Sequence, residues 1–364
     1  MAKFSLSRLQ TFVSGFDGKP FWIGLDVHKR NYYVALRRPD GRSTTWVASA
    51  SPDEFTKQVL CLGMNIAAVA YETGPTGFAL ARALDQAEIP VIVAAASRIP
   101  RSVTAGAKCD RLDCIKLADY AAKGMLKSIA IPTPEEEARR SLLRRRHTLV
   151  DSVRRSKQRI KSMLLFLGVR EPIEVSNWSK NASDALLRLP LEPSAKLTLE
   201  SYLRELIFQQ TELRTVEDQL RQLIASTDQR QNVAYLQTVP GVGVTVATSY
   251  ALELFRPDRF TRADEVASYL GLAPVVRHSG GKTPNGRLVP VGQTRLRSLL
   301  IEAAWMWKAK DAAAAELYNK LLSRTGIAQK AIAAVARRLA IILWRLLVEQ
   351  RPYRMAVITA SRNL

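Results

Sequence analysis

The sequence predicts an α/β domain at the N-terminal end, a helical middle region and a mostly α-helical C-terminal region. Three observations carry this prediction. Residues 21–48 alternate apolar and polar side chains as β-strands do, helical and strand patterns then alternate, and two long amphipathic helices follow Pro132 and Pro134. The expected regions are an N-terminal arm and three larger segments: residues 1–20, 21–131, 132–231 and 232–364.

The N-terminal domain begins after an arm that is polar and interrupted by Gly and Pro, which predicts a loose segment. Three strands follow in FWIGLDV, NYYVALRR and RSTTWVAS. The later elements are a helix over 52–62, a strand over 66–71, a helix over 77–87, a short buried strand in IPVIVAAA and a helix after AKCDRLDC. This order of elements is typical of an RNase H-like fold: three strands come first, and then helix and strand alternate twice before a last helix. Such a fold is a mixed sheet with flanking helices.

Four acidic residues lie where an RNase H-like nuclease places metal ligands. Asp26 is near the end of the first strand, Glu72 ends the apolar run IAAVAYE, and Asp110 and Asp113 share one face of a helix start. Mg2+ prefers several oxygen ligands in octahedral geometry. Four carboxylates are able to hold two such ions about 3.5–4 Å apart, the spacing used in phosphodiester chemistry. His28 shares the face of Asp26 in a strand, where it could touch a metal-bound water or a phosphate, but a structural or solvent-facing histidine is favoured.

Two long helices are expected in the middle region, over about 135–167 and 194–226. Their apolar positions recur at helical spacing, which predicts a helical hairpin or a coiled coil. Arginines are dense over 139–161 and favour contact with RNA or DNA, and His147 among them is expected at the surface. The apolar positions are Leu142, Leu149, Val153, Ile160 and Leu164 in the first helix, and Leu199, Leu203, Leu206, Leu213, Val216, Leu220 and Leu223 in the second.

The C-terminal region contains a PGVG turn between two helical patterns, followed by a serine in a glycine-rich basic loop. The PGVG turn resembles the hairpin of a helix-hairpin-helix element, whose glycines let main-chain amides approach a phosphate. Ser279 lies between Arg277 and Lys282. The local residues alone favour an ordinary phosphate-binding turn over a nucleophile, because no convincing general base is near. Candidate nucleic-acid contacts are Arg277, Lys282, Arg287, Arg295 and Arg297.

Charge is the strongest compositional signal. The chain has 54 Lys and Arg against 33 Asp and Glu, a surplus of +21, which points to a polyanionic partner such as nucleic acid. The three cysteines form no CxxC pair, so a structural zinc site is not expected. Three scattered thiols are typical of a protein in a reducing compartment. Neither a signal peptide nor a membrane span is expected.

Taken in series, these motifs resemble one family. GLDVHK, YETGPTG and AKCDRLDC are similar to the DEDD motifs of insertion-sequence transposases with a RuvC-like N-terminal domain. VPGVG, YLGLAPVVRHSGGK and the Arg-rich helix after VGQ resemble the C-terminal transposase domain of that family, and the resemblance covers about residues 21 to 310. Two features depart from the family pattern: the cysteine at position 114 and the longer N-terminal arm.

The resemblance implies a specific mechanism and specific partners. Asp26, Glu72, Asp110 and Asp113 would bind Mg2+, and Ser279 would form a covalent phosphoserine link to DNA. Family members use a structured bridge RNA that pairs with donor and target DNA. They assemble as dimers of dimers, in which the RuvC-like domain of one protomer meets the transposase domain of another. The middle region would then be the coiled-coil dimerisation and RNA-binding region, and the expected location is the bacterial cytoplasm, at the nucleoid.

Two other functions fit parts of the pattern. A metal-dependent structure-specific endonuclease, of the type that cuts Holliday junctions, would need the acids and a metal-activated water but not Ser279. A non-catalytic nucleic-acid-binding protein would need only the basic surface. The predicted function is that of an RNA-guided DNA transposase, an enzyme that recombines DNA.

Overall fold

The computed structural model describes residues 2–100, 110–275, 287–288 and 292–354, without the side chains of residues 2, 110, 275 and 287. The chain divides into two compact units, Met1–Pro132 and Thr133–Leu364. The first unit is α/β and the second is mostly helical, so the predicted fold classes of the two ends are confirmed.

The first unit follows the predicted order of three strands, helix, strand, helix, strand and helix, preceded by a short strand and a helix. Its strands are β1 (Ala2–Lys3), β2 (Phe21–Val27), β3 (Asn31–Arg37), β4 (Ser43–Ser49), β5 (Ile66–Glu72) and β6 (Val91–Ala94). Its helices are α1 (Leu6–Val13), α2 (Pro52–Leu60), α3 (Ala79–Gln86) and α4 (Asp110–Ala122).

These strands form one mixed sheet in the order β1-β4-β3-β2-β5-β6. Strands β2, β3 and β4 pair antiparallel, whereas β2–β5 and β5–β6 pair parallel. This topology is consistent with an RNase H-like domain. It places β2 in the centre of the sheet, between β3 and β5.

The two faces of the sheet have different side chains because successive residues of a strand point to opposite sides. Ile23 and Leu25 of β2 lie in a large apolar core with Phe55 of α2 and Leu84 of α3. On the opposite face, Ala35 of β3 packs with Cys114 and Ala118 of α4. Helix α4 therefore lies on the face that carries small residues.

The N-terminal arm differs from the loose segment that the sequence predicts. Residues of β1 pair with Trp46 and Val47 of β4, and α1 buries Leu9 completely in the core of the sheet. Leu9, Phe12 and Val13 follow the spacing of an amphipathic helix and pack on this core, so the signal for α1 is present in the sequence.

The second unit contains nine helices and one two-stranded ribbon among its described residues. The helices are α5 (Pro134–Phe166), α6 (Ala182–Leu187), α7 (Pro193–Ala225), α8 (Gln229–Gln237), α9 (Val244–Leu254), α10 (Ala263–Tyr269), α11 (Thr294–Lys310), α12 (Ala312–Thr325) and α13 (Ala328–Glu349), and the ribbon pairs β7 (Pro274–Val275) with β8 (Arg287–Leu288).

Helices α5 and α7 pack against each other along the same chain, as an antiparallel hairpin. Helix α5 begins with a capping box, in which the Thr133 hydroxyl accepts from the Glu136 amide and the Glu136 carboxylate accepts from the Thr133 amide. Most predicted apolar positions are buried, including Ile160 and Leu203, but Leu143 is buried where Leu142 was expected. A one-residue error of this kind reflects the drift of a 3.6-residue repeat along a long helix.

The chain beyond residue 310 completes the core of the second unit. Helix α13 buries a full apolar face, and the Tyr250 hydroxyl of α9 donates to the Ala340 carbonyl oxygen at 2.6 Å. These contacts make the tail part of the core of the second unit. No helix within the described residues is long and apolar enough to cross a membrane.

Candidate catalytic site

Asp26 and Glu72 lie side by side at the ends of two neighbouring parallel strands. Leu25 of β2 is in register with Tyr71 of β5, so Asp26 and Glu72 are the next residues on each strand. Aligned residues of neighbouring strands point to the same side of a sheet. Both carboxylates therefore lie on the face that carries α4, and both are accessible: Glu72 is exposed and the Asp26 side chain is 27% exposed.

Gly24 brings α4 against this face. A Cβ atom on Gly24 would lie 2.0 Å from the Cys114 carbonyl oxygen and 2.4 Å from the Ala118 amide nitrogen. No side chain fits there, so main chain packs on main chain at this crossing. Gly24 precedes Asp26 by two residues and shares its face, which is why the contact holds the first turn of α4 close to Asp26.

Asp110 and Asp113 lie in that first turn. Asp110 is the first residue of α4, and its side chain lies outside the described residues. Asp113 is one-third exposed and has a weak ion pair with Lys116 at 3.8 Å. The predicted helix start is confirmed, and three of the four predicted acidic positions, Asp26, Glu72 and Asp113, have described side chains.

Cys114, the departure from the family pattern, is a packing residue. It is fully buried, and its thiol contacts the Arg111 carbonyl oxygen at 3.2 Å. Burial, as the main cause, and the negative charges of Asp26 and Asp113 together raise the pKa of this thiol to about 12.

His28 contacts Asp26 directly. Its Nε2 atom lies 3.1 Å from Asp26 Oδ2, and its ring meets Tyr33 edge-on at 5.4 Å between ring centroids. The expected shared face of these two residues is thus confirmed. Because His28 is about half exposed, it is placed both to orient the Asp26 carboxylate and to meet a ligand from solvent.

The acidic residues suit a hard divalent cation in their chemistry. They offer only carboxylate oxygens, the ligand type that Mg2+ prefers, from two strand ends and one helix start on one face. Among the side chains that the structure describes, no three acids, histidines or cysteines are close enough together to hold an ion. Completion of the site would depend on Asp110, whose side chain is outside that set.

The serine loop lies largely outside the described residues. Ser279, Arg277, Lys282 and the neighbouring His278 are not among them, and only the main chain of Arg287 is described. Of the remaining predicted contacts, Arg295 is half exposed and lies 3.9 Å from Asp151.

Arg297 has a structural contact, since its Nη1 atom donates to the Gly271 carbonyl oxygen at 3.1 Å. This bond fixes the start of α11 to the end of α10. A nucleic-acid contact by Arg297 would have to use its other donor atoms.

The two glycines of the PGVG turn differ in their surroundings. Gly241 has a φ of +87°, and a Cβ there would lie 2.7 Å from the Trp307 amide nitrogen of α11. Gly243 has open space at the same position. Gly241 therefore serves packing against α11, and only Gly243 leaves the main chain open to a ligand.

His147 is not the surface residue that its basic surroundings predict. Both ring nitrogens are buried and have no hydrogen-bond partner among the described residues. Burial lowers the pKa of His147, and the positive charges of Arg146 and Arg295 lower it further. The imidazole is therefore neutral near pH 7.

Two family models match this chain. One, described as a transposase and named for the DEDD transposases of IS110 elements, matches residues 23–168 and includes all four acids. The other is described as the transposase IS116/IS110/IS902 family and matches residues 233–319, which include Ser279.

Relatives from several bacteria align over most of the chain. A Sinorhizobium fredii protein with a transposase name, y4qE, is 26% identical over 368 residues, 92% of this chain and 90% of the relative. The transposase for insertion sequence element IS1533 of Leptospira borgpetersenii is 27% identical over 78% of this chain and 84% of its own. The transposase for IS1111A of Coxiella burnetii is 27% identical over 68% of each.

The DEDD model matches the part of the chain with the acidic motifs, and the second model matches the later part with the serine loop. The four acids within the DEDD match lie at the strand ends and the helix start described above. Transposases of the DEDD family generally depend on a divalent metal. The chain belongs to the IS110 family of insertion-sequence transposases and is a DNA-recombining enzyme.

Proposed function

We propose that this transposase cuts and rejoins donor and target DNA through a covalent phosphoserine intermediate on Ser279, with Mg2+ at the four acids and with a bridge RNA as guide. The observation that carries the proposal is the position of Asp26 and Glu72 on neighbouring strand ends, under a helix start that supplies Asp110 and Asp113. The order of these motifs and the serine loop along one chain supports the serine step.

In the proposed step, the Ser279 Oγ atom attacks the phosphorus of a scissile phosphodiester. A new Oγ–P bond forms, the bond from phosphorus to the leaving oxygen of the DNA strand breaks, and the serine proton is lost to solvent or a base while the leaving oxygen is protonated. Attack by a hydroxyl of the second strand reverses these changes and releases Ser279. No net hydrolysis occurs, so the energy of the phosphodiester bond is kept for rejoining.

The four acids would contribute ligands rather than protons. Bound Mg2+ would stabilise the negative charge that develops on the phosphate oxygens. Asp26, Glu72, Asp110 and Asp113 would hold the ion, and His28 would orient Asp26 through its 3.1 Å contact. Positive side chains of the serine loop, such as Arg277 and Lys282, would neutralise oxygens of the phosphate that Ser279 attacks.

The charge of the chain supports nucleic-acid partners. A surplus of +21 suits an enzyme that holds two DNA segments and a guide RNA by their backbones, while base pairing selects the sequence. The same charge is the ground for proposing that the protein associates with the nucleoid of a bacterial cell.

Self-assembly is supported by apolar side chains at the end of the α5/α7 hairpin. Leu165 is 80% exposed, Phe166 is 89% exposed and Ile173, in the connection that follows α5, is 82% exposed. Large apolar side chains this exposed, within nine residues of one another along the chain, suggest a protein contact. We propose that a second copy of this chain covers them, as in a dimer of dimers.

A covalent adduct tests the central proposal. Purified protein is incubated with Mg2+, RNA from the end of the element and donor DNA, and the products are separated on a denaturing gel. An adduct should form and should be lost in Ser279→Ala and in Asp26→Asn. Ser268→Ala and Asp85→Asn change exposed residues of the same types on α10 and α3 and should keep it.

The alternatives give different results in the same experiment. Cleaved DNA without an adduct, still produced by Ser279→Ala, would indicate a metal-dependent endonuclease. Binding of RNA and DNA without cleavage or strand transfer would indicate a non-catalytic binding protein. Either result would contradict the serine mechanism.

A further inference from the structure

Three exposed cations lie beside the acidic site of the first unit. Lys29 and Arg30 form the tip of the hairpin that joins β2 to β3, and Arg111 lies in the first turn of α4. All three side chains are exposed, and none has an acidic partner among the described residues. We call these three residues the rim cations. None of them belongs to the predicted catalytic or nucleic-acid-binding residues.

The hairpin tip is close to Asp26 because the turn is tight. The His28 amide donates to the Asn31 carbonyl oxygen at 3.1 Å, which leaves only two residues in the turn. Lys29 follows Asp26 by three residues, which is about 10 Å at most along an extended strand. Phosphates of one DNA strand lie about 3.4 Å apart along the helix axis. The tip is therefore within about three phosphates of a strand that is bound at Asp26.

Arg111 lies on the side of α4 that faces β3, where the hairpin tip begins. Ile115 of α4 packs with Tyr33 and Ala35 of β3 in one small apolar cluster. Arg111 precedes Ile115 by four residues and therefore shares its face of the helix. Asp113 does not share that face, since residues two apart on a helix do not face the same way. The first turn of α4 thus separates a positive side, toward β3, from the acidic side.

The rim cations differ from other arginines of the same sheet. Arg37 and Arg38, at the opposite end of β3, pair with Asp119 and Asp40 respectively. The rim cations leave their charge to solvent, although the acidic site lies beside them. Carboxylates without a cation partner remain available to a metal ion, and cations without a carboxylate remain available to phosphate oxygens. The surface therefore offers two separate regions, one for each sign of charge.

We propose that the rim cations bind phosphates of a DNA strand that flank the phosphate to be cut, on the β3 side of the acidic site. Arg30 and Arg111 each donate through a planar guanidinium group to two oxygens of one phosphate, and Lys29 contributes a compact positive charge. The rim cations fix the path of the strand over the acids and take no part in making or breaking bonds.

Duplex DNA is the partner that the observations favour. The chain is a DNA-recombining enzyme, and a metal ion at the acids would neutralise only the phosphate that is cut. The neighbouring phosphates keep their charge and are repelled by the acidic site unless cations lie beside them. The proposal rests on the proposed function only in placing the DNA strand at the acids.

The test is direct binding, with the metal present and the serine removed. In the Ser279→Ala background, a fluorescein-labelled DNA duplex is titrated with the full chain in Mg2+, and fluorescence anisotropy gives Kd over a range of salt concentrations. Lys29→Gln, Arg30→Gln and Arg111→Gln should each lower the slope of log Kd against log salt by about 0.9, the value for one phosphate contact on duplex DNA. The triple variant should lower it by about three times as much. The weakening should be the same for different DNA sequences, because phosphates carry no base information.

Matched variants control for the general effect of charge. Lys57→Gln removes an exposed lysine from α2, which packs on the opposite face of the sheet, and Arg42→Gln removes an 80% exposed arginine from the turn after β3. Both should leave the salt slope unchanged and Kd within about twofold of the parental value, the range of small surface changes. Lys29→Arg keeps the charge of the tip and should also bind DNA as the parent does.

Four results would overturn the proposal. The first is a parental Kd and salt slope in the triple variant, and the second is equal weakening by Lys57→Gln and Arg42→Gln. The third is weakening of a labelled RNA of the same length without any change for DNA, which would assign the rim cations to RNA. The fourth is a clear fall in Tm, because exposed side chains without a partner should not contribute to stability.

Failure of the proposed function is measured separately. A chain with Ser279 that forms no DNA adduct would contradict the serine mechanism, whereas the rim cations are judged by Kd and salt slope alone. Parental DNA binding by the triple variant, beside normal adduct formation by the wild-type chain, would contradict only the role of the rim cations.

Discussion

Substitution of Gly24 by alanine is the most direct test of how the acidic site is built. The added Cβ would lie 2.0 Å from the Cys114 carbonyl oxygen and 2.4 Å from the Ala118 amide nitrogen. Both neighbours are main-chain atoms, so no change of rotamer relieves the contact. Helix α4 must therefore move away from β2, and Asp110 and Asp113 must move with it.

The size of the effect follows from these distances. Ordinary van der Waals contact begins at 3.4 Å, so the helix has to move by up to 1.4 Å from the Cys114 contact. Overpacking of a core costs about 1–3 kcal/mol and sometimes more. We expect about 3 kcal/mol less free energy of unfolding, because the rigid main chain takes the strain. That loss corresponds to a fall in Tm of about 10 °C for a unit of this size.

The loss of activity should exceed the loss of stability. A displacement of about 1 Å in a catalytic group lowers the rate roughly 100-fold. Urea unfolding followed by circular dichroism gives the stability, and Mg2+-dependent formation of the DNA adduct gives the activity. Gly74→Ala is the matched stability control, since a Cβ there meets nothing within 4 Å. Ala118→Gly added to Gly24→Ala should not restore either property, because the closest contacts are with main chain.

A free energy of unfolding for Gly24→Ala within about 0.5 kcal/mol of wild type, the range of ordinary surface substitutions, would refute the role of Gly24 in holding α4. Restored stability in the Ala118→Gly double variant would also refute it, since the contact would then be with a side chain. Loss of activity at full stability would instead mean that Gly24 acts on the acids without supporting α4.

Three further results are expected. His147 has a lowered pKa in the folded chain, so the unfolded chain binds its proton more readily; the stability that this residue contributes is present above pH 6.5 and falls as the pH drops through the folded-state pKa. His147→Gln should reduce this pH dependence in urea unfolding, and equal slopes for His147→Gln and wild type would refute the burial of this ring. At pH 8, maleimide should modify the exposed Cys61 and leave Cys114 unmodified in the folded protein, because burial raises the pKa of Cys114 to about 12. Peptide mass spectrometry measures both modifications, and equal rates for the two cysteines would contradict this expectation. If a second copy covers the end of the α5/α7 hairpin, Phe166→Glu should lower the mass of the assembly measured by light scattering. The control Arg214→Glu on α7 should leave the mass unchanged. An unchanged mass for Phe166→Glu would exclude the hairpin end from the interface.

The sequence predicted the order of elements in the first unit because each strand and helix there has its own period. Apolar and polar side chains alternate in some of the strands β2, β3 and β5, and the others are continuously apolar. Helix α2 has a serine at its N-cap and a proline in its first turn. The position of Asp26 and Glu72 at strand ends followed from the same patterns. The contact at Gly24 did not, since a glycine in a strand indicates a close approach but not the partner. Its spacing of two residues from Asp26 is the signal that could have suggested a role in the site.

Pairing between distant residues explains most of what the sequence could not predict in the second unit. The arginines of α5 look like one basic surface when only the helix is considered. In the folded chain, Arg140 and Arg146 pair with Glu253 and Glu217, and further pairs join Arg139 to Asp228 and Arg159 to Glu205. These acids lie 46 to 113 residues away along the chain, beyond the reach of any helical pattern.

Part of the arginine density in α5 therefore stabilises the fold and does not mark a nucleic-acid surface. The clearest case is Arg140, whose carboxylate partner Glu253 is only 6% exposed at the side chain. A buried carboxylate without a cation would be strongly destabilising, and Arg140 and Arg144 of α5 both pair with Glu253 of α9. The formal surplus of +21 still points to a polyanionic partner, because each internal pair removes one charge of either sign and leaves the difference unchanged. The internal pairs thus change where nucleic acid is expected to bind, because the paired arginines of α5 already hold acids of the same chain.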